Sequence, residues 1–283
     1  MEKAGILLVN KPSGITSHDL VMKIRSKLNT QKVGHTGTLD PLASGVMMLT
    51  VGKATKILPY IVEHDKEYVA ELKLGIRTDT SDITGNIVEE RDVVPVSEAE
   101  IRQVMSEMTG EQKQIPPMYS AKKVNGRKLY ELAREDIVIE RDPVDINIYE
   151  LKLLDFNGND EIRFRIRCSS GTYVRTVCED LSRKLGNVGT MKSLVRTAID
   201  RYTLKDCQEL ENIDDSVTLL STYEILSGYP YVEIEDLKPI YDGKKIQIDC
   251  DEDLIFIVNG GRIIAAYERI TDNGIYASKR GLW

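Results

Sequence analysis

The sequence predicts an α+β protein: a mixed or antiparallel sheet that carries helices, followed by a small C-terminal β domain. Three observations predict it. Strand-like alternation and helix-like periodicity are interleaved along the first 227 residues. Ser227-Gly228-Tyr229-Pro230 then breaks the pattern. Beyond that break come only short apolar runs separated by turn signals. The expected domains are residues 1–227 and 228–283.

The elements follow in order. Ser17 to Leu28 reads as a helix, with Ser17 as a cap and Leu20, Ile24 and Leu28 on one face. Glu67 to Leu74 alternates and reads as a strand. Ser97 to Thr109 is a second helix, with a capping box from Ser97 to Glu100 and Gly110 just past its end. Ile162, Phe164, Ile166 and Cys168 alternate with Arg163, Arg165 and Arg167, which gives a strand with one buried and one basic face. Thr172 to Leu185 is a third helix, closed by Gly186, and Ser216 to Leu226 a fourth. In the tail, Tyr231–Ile234, Lys244–Ile248, Leu254–Val258, Arg262–Tyr267 and Gly274–Ser278 read as strands. Asn259-Gly260-Gly261 and Asp272-Asn273-Gly274 mark hairpins.

Composition narrows the class. Hydrophobic residues make up 41% of the 283, ordinary for a chain that buries a core. The apolar run Ile6–Val9 is too short for a signal-peptide core or a membrane helix, so a cytoplasmic protein without membrane association is expected. Cys168, Cys178, Cys207 and Cys250 form no C-x-x-C, and the three histidines lie far from them in sequence, so no metal site is expected. The net charge of −7 is unevenly spread: residues 205–255 hold 14 acids against 4 bases, whereas residues 163–201 hold 9 bases against 3 acids. Residues 121–134 add 5 bases against 1 acid. Basic stripes of this kind suit contact with phosphates.

One run concentrates the chemistry: Gly34-His35-Thr36-Gly37-Thr38-Leu39-Asp40-Pro41-Leu42-Ala43-Ser44-Gly45. Its glycines let the backbone approach a ligand, and Pro41 keeps Asp40 out of a helix. No Lys or Arg lies between Val33 and Lys53, so any counter-charge for Asp40 must come from another part of the fold. No P-loop, strand-borne G-x-G-x-x-G or H-E-x-x-H is present, and no cofactor is expected.

This run resembles the catalytic motif of the TruB family of tRNA pseudouridine synthases. Five further segments resemble that family's motifs, in family order: Leu7–Gly14 (K-P-x-G), Asp65–Tyr68 (K-x-Y), Gly75–Asp82 (G-x-x-T-D-T-x-D), Gln114–Ala121 and Gly171–Thr176. The resemblance spans roughly residues 5 to 204. It implies a pseudouridine-synthase sheet fold with a PUA-like, RNA-binding tail. It also implies isomerisation of the T-loop uridine of tRNA (position 55) by base flipping, with no cofactor. Such an enzyme would act as a monomer on the tRNA T-arm, without guide RNA.

Residue by residue, the resemblance makes Asp40 the catalytic aspartate, either nucleophile or base, and Arg175 its ion-pair partner. Tyr68 becomes the active-site tyrosine. His35 is the residue that fills the gap left by the extruded base. Lys11 would pack against structure or phosphate, and Leu194 would form an apolar wall. Lys122, Lys123, Arg127 and Lys128 resemble an RNA-gripping insertion. Asp79 and Asp82 are expected to hold the structure or to support the residues of the site, not to act in the chemistry. Where relatives often show L-R-R, this chain has Leu194-Val195-Arg196, so Arg196 alone is expected to keep a phosphate contact. A guide-RNA-dependent synthase of the dyskerin type and an RNA-binding tRNA folding factor are the alternatives.

Overall fold

The structure is a computed structural model that describes residues 3–61, 64–135 and 137–283. Its frame is a ten-stranded mixed sheet. The strands that matter for the site are β1 (Gly5–Lys11), β2 (Val33–His35), β3 (Ser44–Val51), β4 (Lys66–Leu74), β5 (Gly110–Gln114), β6 (Val144–Phe156), β7 (Glu161–Cys168) and β8 (Gly189–Ile199). Across the sheet the order is Gln208–Glu209, β1, β3, β8, β4, β7, β6, β5, with β2 paired to β3 and Tyr202–Thr203 to β8. Three helices are long enough to matter: α1 (Ser17–Lys27), α2 (Glu98–Glu107) and α3 (Val174–Lys184). Among the described residues no helix is long and apolar enough to cross a membrane.

The predicted alternation of β4 is realised. Lys66, Tyr68, Ala70, Leu72 and Leu74 are buried, and the residues between them are half-buried. Ile162, Phe164, Ile166 and Cys168 of β7 are fully buried and join Ile101, Met105, Val177 and Leu181 of α2 and α3 in the main core. The capping box at Ser97 forms as expected, with Glu100 N donating to Ser97 Oγ at 3.2 Å and Ser97 N to Glu100 Oε2 at 2.7 Å.

Two expectations are corrected. Helix α1 is capped by Thr16, through a box with Asp19, because the Ser17 hydroxyl is taken by Leu39. The helix expected over Ser216–Leu226 shrinks to one turn, Thr222–Ile225. Leu220 pairs instead with Ile6, exchanging two backbone hydrogen bonds with β1 at 2.9 and 2.8 Å. The basic face of β7 forms as expected, with Arg163 and Arg167 exposed. Acids border it: Arg165 Nη2 donates to both Glu150 carboxylate oxygens at 2.9 and 3.0 Å and Arg165 Nε lies 3.8 Å from Glu67, while Arg167 lies 4.0 Å from Asp65.

The tail forms a five-stranded sheet in the order Tyr231–Glu233, Leu254–Asn259, Arg262–Arg269, Ile275–Gly281, Ile246–Gln247. Gly260 and Gly261, at φ of 55° and 72°, make the tight turn of its central hairpin. This sheet shares a core with the large one: Phe256, Val258, Ile263 and Ala266 pack with Ile6, Leu8, Val46 and Met48 of β1 and β3. Phe256 takes Tyr60 and Tyr229 edge-on, with ring centroids 5.2 and 5.5 Å away.

The middle of the large sheet is tight at one point. β3 and β8 run parallel, with Gly45 opposite Arg196. Gly45 has φ of 114°, and a Cβ there would lie 2.2 Å from the Arg196 carbonyl oxygen. Only glycine meets both conditions. Gly45→Ala is expected to cost at least about 2 kcal/mol and to lower the melting temperature by about 5 °C or more. A thermal melt within 1–2 °C (about the scatter of such scans) of wild type would contradict this packing.

Candidate active site

The loop from Thr36 to Ala43, between β2 and β3, carries Asp40. It is held from both sides by the segment that follows β1. Ser17 Oγ accepts from Leu39 N at 2.8 Å and donates to Leu39 O at 2.9 Å. Gly14 N donates to Pro41 O at 2.8 Å, and Ser13 Oγ to Leu42 O at 2.6 Å. The residues flanking Asp40 are thus fixed by hydrogen bonds, which aims its side chain without holding it.

That side chain meets Arg175 at the start of α3. Arg175 Nε lies 2.9 Å from Asp40 Oδ2, and Nη2 donates to Oδ1 at 3.1 Å, a two-point contact. Two further donors are spent on carbonyls: Nη1 on Thr80 O at 2.9 Å and Nη2 also on Tyr119 O at 2.7 Å. The Arg175 side chain is 6% exposed, while that of Asp40 keeps 29%. The arginine is therefore sealed and the carboxylate still faces a cleft. Removal from water pushes the Asp40 carboxyl above its ordinary value. Arg175 pulls it back down, Asp82 raises it, and Lys11 lowers it.

The cleft encloses about 270 Å³. Tyr68 and Leu194 line it from β4 and β8, beside Asp40 and Arg175. Burial pushes the Tyr68 phenol up, and the neighbouring Arg196 side chain opposes part of that shift. The phenol is therefore protonated at neutral pH and able to donate. These four expected residues, contributed by a loop, two strands and a helix, converge on one cavity.

The other expected residues are placed differently. His35 ends β2, one residue before the cleft wall begins at Thr36. Its Nδ1 is buried without a hydrogen-bond partner, and burial and Arg196 hold the imidazole below its ordinary value, so it is neutral at pH 7. Lys122, Lys123, Arg127 and Lys128 sit on a hairpin of Lys123–Val124 and Arg127–Lys128. This hairpin follows Ser120 and Ala121 at the cleft. Arg127 pairs with Glu135 at 2.6 Å, Lys122 reaches Asp142 O at 3.4 Å, and Lys128 reaches the Tyr130 hydroxyl at 3.1 Å.

Two expectations change. Arg196 is 1% exposed and donates to Val46 O at 2.7 Å and Met47 Sδ at 3.0 Å. It is a wall of the cleft and is almost wholly closed off from the outer surface. The signal was present, because Arg196 follows Leu194 by two residues on one strand and so shares its face. Lys11 is fully buried and donates to Ile15 O at 2.7 Å and Pro12 O at 3.0 Å. Of its two expected roles, packing against structure is the one it fills. Lys66, which was not among the expected site residues, lines the cleft beside Tyr68 and donates to Ser170 Oγ at 2.9 Å. Its spacing of two from Tyr68 could have found it. The carbonyls of Thr80 and Tyr119 had no side-chain signal, although both lie in matched segments.

Asp82 folds its own loop, as expected of a structural residue. Its Oδ1 accepts from Thr84 N at 3.0 Å, Thr84 Oγ1 at 2.5 Å and Thr80 Oγ1 at 3.1 Å. Asp79 accepts from Asn86 N at 2.9 Å.

Known structures share this architecture. A solved Cbf5–Nop10–Gar1 complex superposes with a TM-score of 0.74 over 99% of this chain and 85% of its own, at 24% identity. An H/ACA RNP bound to a substrate RNA containing 2′-deoxyuridine gives 0.72 over 99% and 85%, at 22% identity. These likenesses show a shared α+β fold, and the C-terminal sheet fits a PUA-like domain. The TruB family pseudouridylate synthase (N terminal domain) pattern matches residues 25–174, and this chain belongs to that family. Two relatives are each called tRNA pseudouridine synthase B. That of Alkaliphilus oremlandii is 47% identical over 217 residues, covering 75% of this chain and 72% of its own. That of Mesoplasma florum is 36% identical over 285 residues, covering 99% of both.

The buried Lys11 has a measurable consequence. Burial pushes its ammonium down to about 8, with Asp40 opposing and Arg196 adding to the shift. The unfolded lysine titrates at 10.5. Between these values the unfolded chain binds more protons, so Lys11 contributes stability that rises with pH across that window. Urea midpoints measured at pH 8 and pH 10 are expected to favour wild type over Lys11→Met increasingly at the higher pH. A pH-independent difference would show that Lys11 is not desolvated.

Proposed function

We propose that this chain isomerises uridine to pseudouridine in the T-loop of tRNA, at position 55, as a cytoplasmic monomer that needs no guide RNA. The observation that carries this reading is the two-point Arg175–Asp40 pair opening onto a cleft lined by Tyr68. Chemistry on a base requires its removal from the stack, and a concave site with one directed carboxylate suits a flipped nucleotide. Relatives called tRNA pseudouridine synthase B, matched along nearly the whole chain, support tRNA as the substrate.

In this reading Asp40, kept ionised by Arg175, either attacks the uridine covalently or takes a ribose proton. Breaking the N1–C1′ bond frees the base to rotate and rejoin through C5. The reaction is an isomerisation, with no atom gained or lost. Tyr68 stacks on or assists the base, and Leu194 supplies an apolar wall. Neutral His35, at the edge of the cleft, fills the space the base leaves. The hairpin bearing Lys122, Lys123, Arg127 and Lys128 grips the RNA backbone. Residues 1–227 form the catalytic unit, and residues 228–283 a short PUA-like RNA-binding unit.

Release of tritium from C5 of uridine in a T-arm transcript tests the reaction. Wild-type protein alone is expected to release label, while Asp40→Asn folds normally, binds the RNA and releases none. An Asp40→Asn rate within about tenfold of wild type would overturn the assignment.

Acidity gives a second check. Asp40 acts as a carboxylate, and burial pushes its carboxyl up. Protonation therefore removes activity as pH falls, and the acid limb of the single-turnover rate is expected above the ~3.9 of a free aspartate. A flat profile down to that value would contradict the desolvated site.

A further inference from the structure

Helix α3 presents Arg175 and, one turn later, Glu179. Side chains at this spacing lie side by side on a helix. Both reach the loop that follows Thr78, and they hold consecutive residues of it. Arg175 Nη1 donates to the Thr80 carbonyl at 2.9 Å, and Ser81 Oγ donates to Glu179 Oε1 at 2.8 Å.

Ser81 is buried and carries a φ of 62°, a left-handed backbone that a serine adopts only when its surroundings hold it there. On one side, Met191 N of β8 donates to the Ser81 carbonyl at 3.2 Å. On the other side is Glu179. The half-buried Glu179 carboxylate faces Arg77, Arg183 and Asp180 as well, and none of the Thr80–Asp82 backbone contacts depends on those three.

We propose that Glu179 is a positioning residue for the isomerisation: through Ser81 it fixes the Thr80 carbonyl, and through that carbonyl it fixes the direction in which Arg175 presents its fork to Asp40. The inference rests on the reading of Asp40 and Arg175 as the catalytic pair. Without the Glu179 contact, the left-handed turn at Ser81 rests on backbone bonds alone, from Ser81 N to Thr78 O at 3.3 Å and from Met191 N to Ser81 O at 3.2 Å, so the Thr80 carbonyl is held less firmly. The Thr80 anchor of Arg175 then loosens while the Tyr119 anchor stays. The pair remains, but its direction relaxes, and small misplacements at a reacting centre carry large rate costs.

The test uses full-length protein and the tritium-release assay under steady-state conditions. Glu179→Ala is expected to lower kcat about tenfold or more while KM for the T-arm RNA stays within about twofold, since no substrate contact is lost. Glu179→Gln keeps an acceptor oxygen for Ser81 and is expected to restore kcat to within about twofold of wild type. Ser81→Ala breaks the same bond from the other side, and is expected to match Glu179→Ala. The double variant is expected to be no slower than either single one. Wild-type kcat in both Glu179→Ala and Ser81→Ala would overturn the proposal. So would Glu179→Gln as slow as Glu179→Ala. If Glu179→Ala does not fold, Glu179→Gln and Ser81→Ala decide the matter. Asp40→Asn is assayed alongside. Turnover by Asp40→Asn would sink the catalytic reading itself, whereas a silent Asp40→Asn beside an unimpaired Glu179→Ala and Ser81→Ala would sink only the positioning role.

Discussion

The site depends on placing a sealed arginine against a carboxylate that must stay open. Arg175 is the second residue of α3, where the helix dipole disfavours a cation, and its side chain has almost no contact with water. A buried charge in that position persists only when its donors are satisfied. Asp40 supplies two contacts, and the carbonyls of Thr80 and Tyr119 supply two more. Four segments that are distant in the chain must therefore meet at one guanidinium. Residues 36–43, 78–86 and 114–121 and the start of α3 are located by that requirement.

The surroundings of the pair are cationic. Lys11 and Arg196 lie close enough to act electrostatically on one another, and Asp40 acts on Lys11. Both bases are buried and use their donors on backbone carbonyls: those of Pro12 and Ile15 for Lys11, and Val46 for Arg196. On a protein whose net charge is −7, exposed bases lie on the hairpin of Lys123–Val124 and Arg127–Lys128, where Arg127 pairs with Glu135, and on β7, where Arg163 and Arg167 are exposed and Arg165 pairs with Glu150.

Much of the fold was legible because its signals are local. The capping box at Ser97, the alternation of β4 and β7 and the Gly260-Gly261 turn each depend on residues within a few positions of one another. The helix expected over Ser216–Leu226 failed for the opposite reason. Its residues have helical spacing, but Leu220 gains two backbone bonds to Ile6 that no local pattern announces. Ser17 was a plausible cap until Leu39, 22 residues away, claimed its hydroxyl.

The sequence by itself determined which residues are candidates for the chemistry: Asp40, held outside a helix by Pro41, and Tyr68, Leu194 and Arg175 through the family motifs they match. These follow from ordered motifs, which are one-dimensional. Only the tertiary structure decided that Arg196 is a buried wall of the cleft, that Lys11 is a buried strut, and that Arg165 in the arginine stripe is paired from neighbouring strands. Charge tells nothing about burial until the register of adjacent strands is known. Register is set by long-range packing, as at Gly45, where the lack of a side chain lets β3 close onto Arg196.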